Sequence, residues 1–306
     1  MDEIRVAQAR GGRPLRAFFS LSEKAGLRAP ERKLLRRVCG TPGEGRAFLL
    51  ALKNGVPAAR LLTWPGFFAM ADGDEDALEC LFDRAEALQR QWGSDRLCGP
   101  ALPGGLQLFT GFPAEKSEDA AGLFHLACAG TGRLLRSRGY EPFTRLRAYQ
   151  AEIKASDTLK NQARRTERRY GLMCRKLKNG LFTRETETCV WKLEKDCREQ
   201  AARLTERLMP FFAKPYCVGV FDGGGNCRGY ALVLKGNPLR VVTIVSECAP
   251  ATLLLAEGLL ERFARKGIRS AELSVIDENN IPSRLVAESF CGRGFREYLQ
   301  YNKKLT

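Results

Sequence analysis

The chain has 306 residues, 44% of them hydrophobic, so it can bury a large core and is long enough for two domains. Its 50 Lys and Arg residues outnumber the 35 Asp and Glu residues, and the resulting net charge of +15 favours anionic partners. The sequence has no signal-like or long apolar segment, which predicts a cytoplasmic protein without a membrane partner. The 11 cysteines are scattered and His125 is the only histidine, which argues against a zinc site and histidine-based catalysis.

The first half of the sequence predicts a hairpin followed by alternating strands and helices. The hairpin consists of apolar runs at residues 47–52 and 58–63, which flank the turn dipeptide Asn54-Gly55. An apolar segment predicts the next strand, and an acidic turn followed by leucines at helical spacing predicts the first helix. This strand is expected at residues 66–70 and this helix at residues 72–93. A strand at 96–100, a helix at 122–138 and a long strand at 140–153 are expected to follow.

The second half repeats this order of elements after an additional helix. That helix is expected at residues 185–209, and apolar runs at 216–221 and 229–234 flank the glycine-rich segment 222–226. This segment joins two strands and has no helix behind it, so it is interpreted as a hairpin turn and not as a phosphate loop. The remaining strand, helix, strand, helix and strand are expected at residues 241–245, 250–266, 271–276, 282–290 and 295–305. Such an ordered repeat predicts two similar halves.

Short sequence motifs accompany this order of elements in both halves. In the second half they are Leu259-Leu260, residues 266–268, residues 272–275, residues 278–280 and Gly294-Phe295. In the first half they are residues 66–68, Ala85-Glu86, Gly99-Pro100 and Gly139-Tyr140. These motifs resemble the GNAT (Gcn5-related N-acetyltransferase) superfamily, in particular its tandem N-acyltransferase-like members. The resemblance implies an α+β (mixed α/β) fold with two tandem GNAT-like halves, each a mixed, mostly antiparallel sheet flanked by helices.

The same resemblance implies a division of the chain into domains. Residues 1–153 are expected to form an N-terminal GNAT-like domain, residues 154–184 a basic linker with the first strand of the second half, and residues 185–306 a C-terminal GNAT-like domain. In the first domain, the acidic segment 72–76 puts four carboxylates where a phosphate would need positive potential. This domain is therefore not expected to bind CoA.

The resemblance also implies a site for an acyl thioester, and two usual parts of that site are missing from the sequence. Residues 251–256 align with the family's phosphate turn, Arg/Gln-x-x-Gly-x-Gly/Ala, yet they contain neither a glycine nor an arginine. At the position of the family's general-acid tyrosine, the alignments give Phe290, Ala287 or, in the first half, Leu135. Acetyl-CoA is therefore expected to be a poor donor.

The remaining candidate site residues lie near the predicted central strand and on the last strand. By resemblance, Glu247 is the candidate base that takes a proton from an amine, and Tyr298 is a candidate acid. The residues expected to contact the acyl donor are Val245, Cys248, Thr252 and Asn280. A solvated strand-end glutamate and a core tyrosine are the alternative interpretations of Glu247 and Tyr298.

A strongly basic helix is predicted at residues 156–170. Its basic residues are Lys160, Arg164, Arg165, Arg168 and Arg169. Their spacings of one, three and four residues spread the charge over a wide helical face. The pattern is typical both of a solvated linker helix and of a surface for RNA, tRNA or another polyanion, and no RNA-recognition motif accompanies it.

Together, these features predict transfer of an acyl group from a thioester, either acyl-CoA or an acyl carrier protein, to a small-molecule amine, without a metal. Three alternatives stay open: a catalytically inactive binding protein with the GNAT fold, an aminoacyl-tRNA-dependent transferase, and a nucleic-acid-binding protein. The last two would use the basic helix to bind tRNA or other RNA. The donor, the acceptor and the oligomeric state do not follow from the sequence.

Overall fold

The structure is a computed structural model, and it describes most of the predicted elements. The described residues are 3–24, 39–43, 45–100, 112–113, 131–154, 156–177, 216–234, 239–277, 281–289 and 294–305. The expected helix at 185–209, most of that at 122–138, and His125, Asn280 and Phe290 lie outside them. Within the described part of the chain, no helix is long and apolar enough to cross a membrane.

The chain divides into two compact units. The first contains Met1–Leu146 and the C-terminal segment Glu297–Thr306, and the second contains Arg147–Arg296. The division expected from the sequence runs in chain order and keeps residues 185–306 together, whereas here the C-terminal segment belongs to the first unit. Local sequence patterns do not reveal such an exchange, because the partner of a strand depends on contacts between residues far apart in the chain.

The first unit contains eight strands, in whole or in part, and three helices among the described residues. The strands are β1 (Ile4–Gln8), β2 (Ala47–Lys53), β3 (Val56–Trp64), β4 (Phe67–Gly73), β5 (Arg96–Gly99), β6 (Phe112–Pro113), the first part of β7 (Glu141–Glu152) and most of β13 (Gly294–Lys304). The helices are α1 (Gly12–Lys24), α2 (Glu75–Gln91) and α3 (Thr131–Ser137). The sheet order includes β1-β2-β3-β4-β5-β13, in which only β4 and β5 are parallel neighbours.

Helix α2 covers this sheet because its apolar residues recur every three or four positions. Its buried apolar residues include Leu78, Leu81, Phe82 and Ala85. Asp74 starts the helix, since its Oδ1 accepts a hydrogen bond from the backbone nitrogen of Ala77 at 3.1 Å. The predicted acidic helix start and apolar spacing are both confirmed.

Strand β1 and helix α1 were not predicted from the sequence. Both lie in a polar, Arg-rich segment, and no residue of β1 is fully buried. The buried side of α1 carries Phe18, whose ring lies 5.1 Å from that of Phe48 in an edge-on contact. This aromatic contact to β2, more than the local pattern, explains why α1 is a stable part of the first unit.

The second unit contains the remaining strands and helices. Its strands are the end of β7, β8 (Met173–Leu177), β9 (Tyr216–Phe221), β10 (Cys227–Leu234), β11 (Leu239–Ser246) and β12 (Ser270–Asp277). Its helices are α4 (Asp157–Tyr170), α5 (Ala249–Arg265) and α6 (Ile281–Ser289). The strand order is β7-β12-β11-β10-β9-β8, with antiparallel pairs from β8 to β11 and a parallel pair β11–β12.

Helix α5 lies very close to the sheet of the second unit. Its buried residues include Leu254, Leu255, Leu259 and Phe263, which form part of the core. A Cβ atom at Gly258 would overlap the Sγ atom of Cys174 on β8, so only glycine permits this approach. Burial raises the pKa of the Cys174 thiol to about 12, which makes it a packing residue and not a nucleophile.

The fold predicted from the sequence is confirmed in its class. The structure is mixed α/β, with mostly antiparallel strands flanked by helices, and both expected hairpins are present. Cys227 is disulfide-bonded. The free cysteines among the described residues are Cys39, Cys80, Cys98, Cys174 and Cys248.

Candidate functional site

In the second unit, the parallel strands β11 and β12 are paired only along their first residues. The pairs are Leu239 with Ala271, Arg240 with Glu272 and Val241 with Leu273. Both strands continue, β11 to Ser246 and β12 to Asp277, and no further pair between them is found in the described part of the chain. The pairing therefore ends before the middle of β11.

A β-bulge in β11 lies at the same level. Leu232 and Val233 of β10 pair with Thr243 and Val241, so Val242 is an additional residue in β11. A bulge bends its strand and increases its twist, which explains why β11 leaves β12 at this point.

The first unit contains a corresponding irregularity in β4. The register between β3 and β4 shifts near Met70, whose φ angle of 54° is unusual for a residue other than glycine. Its parallel neighbour β5 pairs with it at Phe67 and Cys98, the one pair found among the described residues. Both units thus combine a bulged strand with a briefly paired parallel neighbour.

Strand β11 passes into helix α5 through only two residues. These are Glu247 and Cys248, and α5 begins at Ala249. Cys248 is the N-terminal capping residue, yet its side chain makes no capping hydrogen bond, and the first turn contains no acidic residue. Pro250 lies in the same turn and has no N–H group. The positive end of the helix dipole is therefore not covered by a side chain of its own first turn.

Residues 251–256, which align with the family's phosphate turn, lie inside α5 and not in a turn. Thr252 among them is buried, and its hydroxyl oxygen lies 2.6 Å from that of Ser246. Its hydroxyl is also 3.2 Å from the carbonyl oxygen of Cys248, which accepts a hydrogen bond from it. Thr252, predicted as a donor contact, therefore joins the end of β11 to the first turn of α5.

Three charged side chains meet beside this junction. Arg228 donates hydrogen bonds from Nη1 to Oε2 of Glu247 at 2.8 Å and from Nε to Oδ2 of Asp222 at 3.0 Å. We call Asp222, Arg228 and Glu247 the junction cluster. Its hydrogen bonds to Glu247 and Asp222 raise the pKa of Arg228. With two carboxylates and one guanidinium, the junction cluster carries a net charge of about −1 at neutral pH.

We expect Asp222 to titrate with a pKa of about 2, below its ordinary value of 3.8, because backbone and side-chain hydrogen bonds from Asn226 stabilise the carboxylate. Since the folded-state pKa is the lower one, the carboxylate stabilises the turn above about pH 4, and this contribution is lost as the pH falls to about 2. An NMR titration of the Asp222 carboxyl carbon measures this, with Asp222→Asn to assign the signal. A midpoint at or above 3.8 would contradict the prediction.

The start of helix α2 in the first unit is different from that of α5. Asp74 caps α2 with its own carboxylate, and Nζ of Lys53 lies 3.3 Å from Asp74 and 3.6 Å from Asp76. A side-chain carboxylate thus occupies the place that a bound anion would take. One expectation is corrected here: Asp72 is buried against Arg60 and does not add to the acidic surface.

The structure brings four of the predicted site residues together in the second unit. Those that lie where β11 passes into α5 are Val245, Glu247, Cys248 and Thr252. Asn280 lies outside the described residues. Tyr298 belongs to the first unit, where its side chain is 1% exposed and its backbone faces Pro113. Glu247 and Tyr298 therefore lie in different units, and Tyr298 has the burial of a core residue.

The predicted basic residues lie on one exposed helix of the second unit. Arg164, Arg165, Arg168 and Arg169 are all exposed on α4, as expected for a polar helix face. The helix itself is confirmed, and it begins at Asp157 and ends at Tyr170.

Sequence reasoning missed Arg228, which holds Glu247. The signal that could have found it is the pairing of β10 with β11, since Gly229 faces Ser246 and the residues beside them are therefore opposite each other. That register includes the bulge at Val242, which no local pattern predicts.

The strand order, the two bulged strands and the helices that follow them define the GNAT fold. A tandem GNAT protein from the clavulanic acid biosynthesis pathway is 15% identical to this chain, with a TM-score of 0.63 over 99% of both chains. A GCN5-related glucosamine N-acetyltransferase region of a fungal multi-domain GH3 β-N-acetylglucosaminidase is 10% identical, with a TM-score of 0.68 over 99% of this chain and 38% of that one.

A third solved structure, a GCN5-related N-acetyltransferase from Sphaerobacter thermophilus, is 13% identical, with a TM-score of 0.59 over 99% of this chain and 96% of that one. Neither a protein-family model nor a curated protein matches the sequence. At these identities the likeness establishes the fold alone.

Proposed function

We propose that the second unit transfers an acyl group from a thioester to an amine beside the end of β11. The observation that carries this proposal is the combination of two features at one place: the β11–β12 pairing ends at Val241, and the same strand leads directly into the uncapped start of α5. An elongated thioester fits between separating strands, and a helix N-terminus favours an anionic group at its far end.

The reaction joins the amine nitrogen to the thioester carbonyl carbon and breaks the carbon–sulfur bond. The nitrogen loses one proton and the departing thiolate gains one, so an amide and a thiol are formed. Glu247 is the proposed base, and Arg228 holds its carboxylate in place at 2.8 Å. Because the junction cluster is negative overall, it also attracts an amine in its protonated, cationic form, which first loses one proton to solvent and then attacks as the neutral amine.

Among the described residues, the positions that align with the family's tyrosine supply no proton for the departing thiolate. Ala287 and Leu135, which align with the family's tyrosine, are both fully buried, so neither position reaches a substrate. Residues 251–256 likewise offer no phosphate turn, since they form helix. We therefore propose a donor whose binding does not require the protein to contact a pyrophosphate group, such as an acyl carrier protein.

We expect Glu247→Gln to lower kcat by about 10²- to 10⁴-fold and to leave donor KM nearly unchanged, since it removes a base without changing the fold. The assay compares acetyl-CoA with acyl-carrier-protein thioesters, and a set of amines as acceptors. Glu261→Gln is the matched control, because Glu261 lies on α5 and pairs with Arg265 four residues on. Equal activity of both variants would contradict the role of Glu247.

A second candidate function is binding without catalysis. The burial of Ala287 and Leu135 favours it, because neither of these described positions carries an acid that would assist the leaving group. Thermal-shift measurements separate the two functions, since a ligand that binds only the folded state raises the melting temperature. A donor that stabilises the protein and is never turned over supports the binding protein.

A further inference from the structure

The exposed face of α4 is densely and almost exclusively basic. The exposed basic residues of α4 are Lys160, Arg164, Arg165, Arg168 and Arg169, and we call them the α4 basic face. The acidic residues of the helix are Asp157, in its first turn, and Glu167, which is half-buried. The four arginines make no hydrogen bond or ion pair with any other residue that the structure describes. Their guanidinium groups thus lack a carboxylate partner within this part of the chain.

The helix holds these side chains in a fixed direction. Ser156 caps its start by accepting a hydrogen bond from the backbone nitrogen of Leu159 at 3.2 Å, and Gly171 ends it in the left-handed conformation. On the opposite face, Ala163 is 3% exposed and packs in the core of the second unit. The α4 basic face therefore points to solvent from a rigid support.

Such crowding of like charges is unfavourable without a partner. Lys160 with Arg164, Arg164 with Arg168, and Arg165 with Arg169 are each four residues apart, and such like-charge pairs destabilise a helix. A polyanion that bridges them removes this repulsion and releases its own counterions. Successive arginines four positions apart lie about 6 Å from each other along the helix, which suits a chain of phosphates.

Two exposed side chains, one at the end of α4 and one at the start of β8, favour single-stranded nucleic acid over other polyanions. Tyr170 is 51% exposed, with the guanidinium of Arg169 lying 5.4 Å from its ring centre, and Met173 is 62% exposed. An exposed aromatic ring beside arginines offers a surface on which an unpaired base can stack. The apolar side of α4 is packed in the core, so the helix has no apolar face left to enter a membrane.

We propose that the α4 basic face, with Tyr170, binds single-stranded nucleic acid, with the arginines on the phosphates and the tyrosine on a base. This inference is independent of the proposed acyl transfer. Arg175 and Lys176 on β8 are also exposed.

Fluorescence anisotropy with a labelled single-stranded RNA of about 20 nucleotides, titrated between about 50 and 300 mM salt, tests the proposal. The test variant replaces Arg164, Arg165, Arg168 and Arg169 by Gln. The matched control replaces four exposed arginines of the first unit by Gln and thus removes the same charge: Arg5, Arg13, Arg16 and Arg84. Circular dichroism confirms that both variants are folded.

The α4 variant is expected to bind less tightly. Its slope of log affinity against log salt is expected to become shallower, by about 0.7 for each phosphate that the protein no longer neutralises. Tyr170→Ala is expected to weaken binding roughly 5- to 100-fold with the slope unchanged, because it removes stacking and no charge. An equal weakening in the first-unit control, or no RNA binding by the wild type at low salt, would overturn the proposal. Binding to phosphatidylglycerol vesicles that depends on α4, without RNA binding, would assign the surface to a membrane instead.

Discussion

Asp72→Ala is expected to lower the free energy of unfolding of the first unit by about 3–5 kcal/mol, because it leaves the buried guanidinium of Arg60 without its counter-charge. The Arg60 side chain is fully buried, and it donates hydrogen bonds to Asp72 from Nε at 2.8 Å and from Nη2 at 2.6 Å. Its Nη1 donates to the carbonyl oxygen of Phe18 at 3.0 Å. Burial raises the pKa of Asp72, and the neighbouring guanidinium opposes this effect.

Hydrogen exchange of the β3 and β4 amides under denaturant measures this destabilisation in the first unit alone. A double variant, Arg60→Met with Asp72→Leu, is expected to recover most of the stability, because both charges are removed together. Lys154→Ala, which breaks an exposed pair with Glu152, is expected to leave the stability nearly unchanged. An Asp72→Ala variant as stable as Lys154→Ala would show that the buried pair is not needed.

Removal of the C-terminal segment, Glu297–Thr306, is expected to unfold the first unit while the second keeps its core. This segment supplies the strand next to β5, with Tyr301 facing Gly99. Tyr301 is fully buried, and Lys303 lies 3.0 Å from both carboxylate oxygens of the buried Glu86. Truncation of a buried aromatic side chain alone costs about 3–5 kcal/mol, which approaches the whole stability of a typical domain.

The truncated chain is compared with two point variants by limited proteolysis and hydrogen exchange. Tyr301→Ala removes one buried side chain of this segment instead of the whole strand, and it is expected to lower the free energy of unfolding by about 3–5 kcal/mol. Tyr301→Phe keeps the ring and removes the hydrogen bond that the hydroxyl accepts from Arg136 at 2.8 Å, so a cost of about 1 kcal/mol is expected. Native protection of β2 to β5 in the truncated chain would contradict the prediction.

Sequence patterns predicted the elements of this fold better than the partners of those elements. The hairpin at Asn54-Gly55 and the helix that begins after Asp74 follow from local rules of turns, capping and apolar spacing. Strand β1 and helix α1 were missed because their stability comes from packing such as that of Phe18, and not from a periodic pattern.

The candidate site was predicted only in part, for a related reason. Glu247 and Cys248 follow an apolar strand and precede a helix, so their place at a junction is visible in the sequence. The contact of Arg228 with Glu247 and the burial of Tyr298 depend on strand register and on which unit receives β13. Bulges such as that at Val242 change this register without a residue type that announces them.

The assignment of Glu297–Thr306 to the first unit has a consequence for biosynthesis. Residues 1–146 are synthesised before the second unit, yet their sheet is incomplete until residues 297–306 have been translated and β13 arrives beside β5. The segment Arg147–Arg296 is synthesised before most of β13, so the second unit can fold while the sheet of the first unit still has an unpaired edge at β5. An unpaired edge invites pairing with other chains, so the N-terminal part is open to such pairing until β13 is in place.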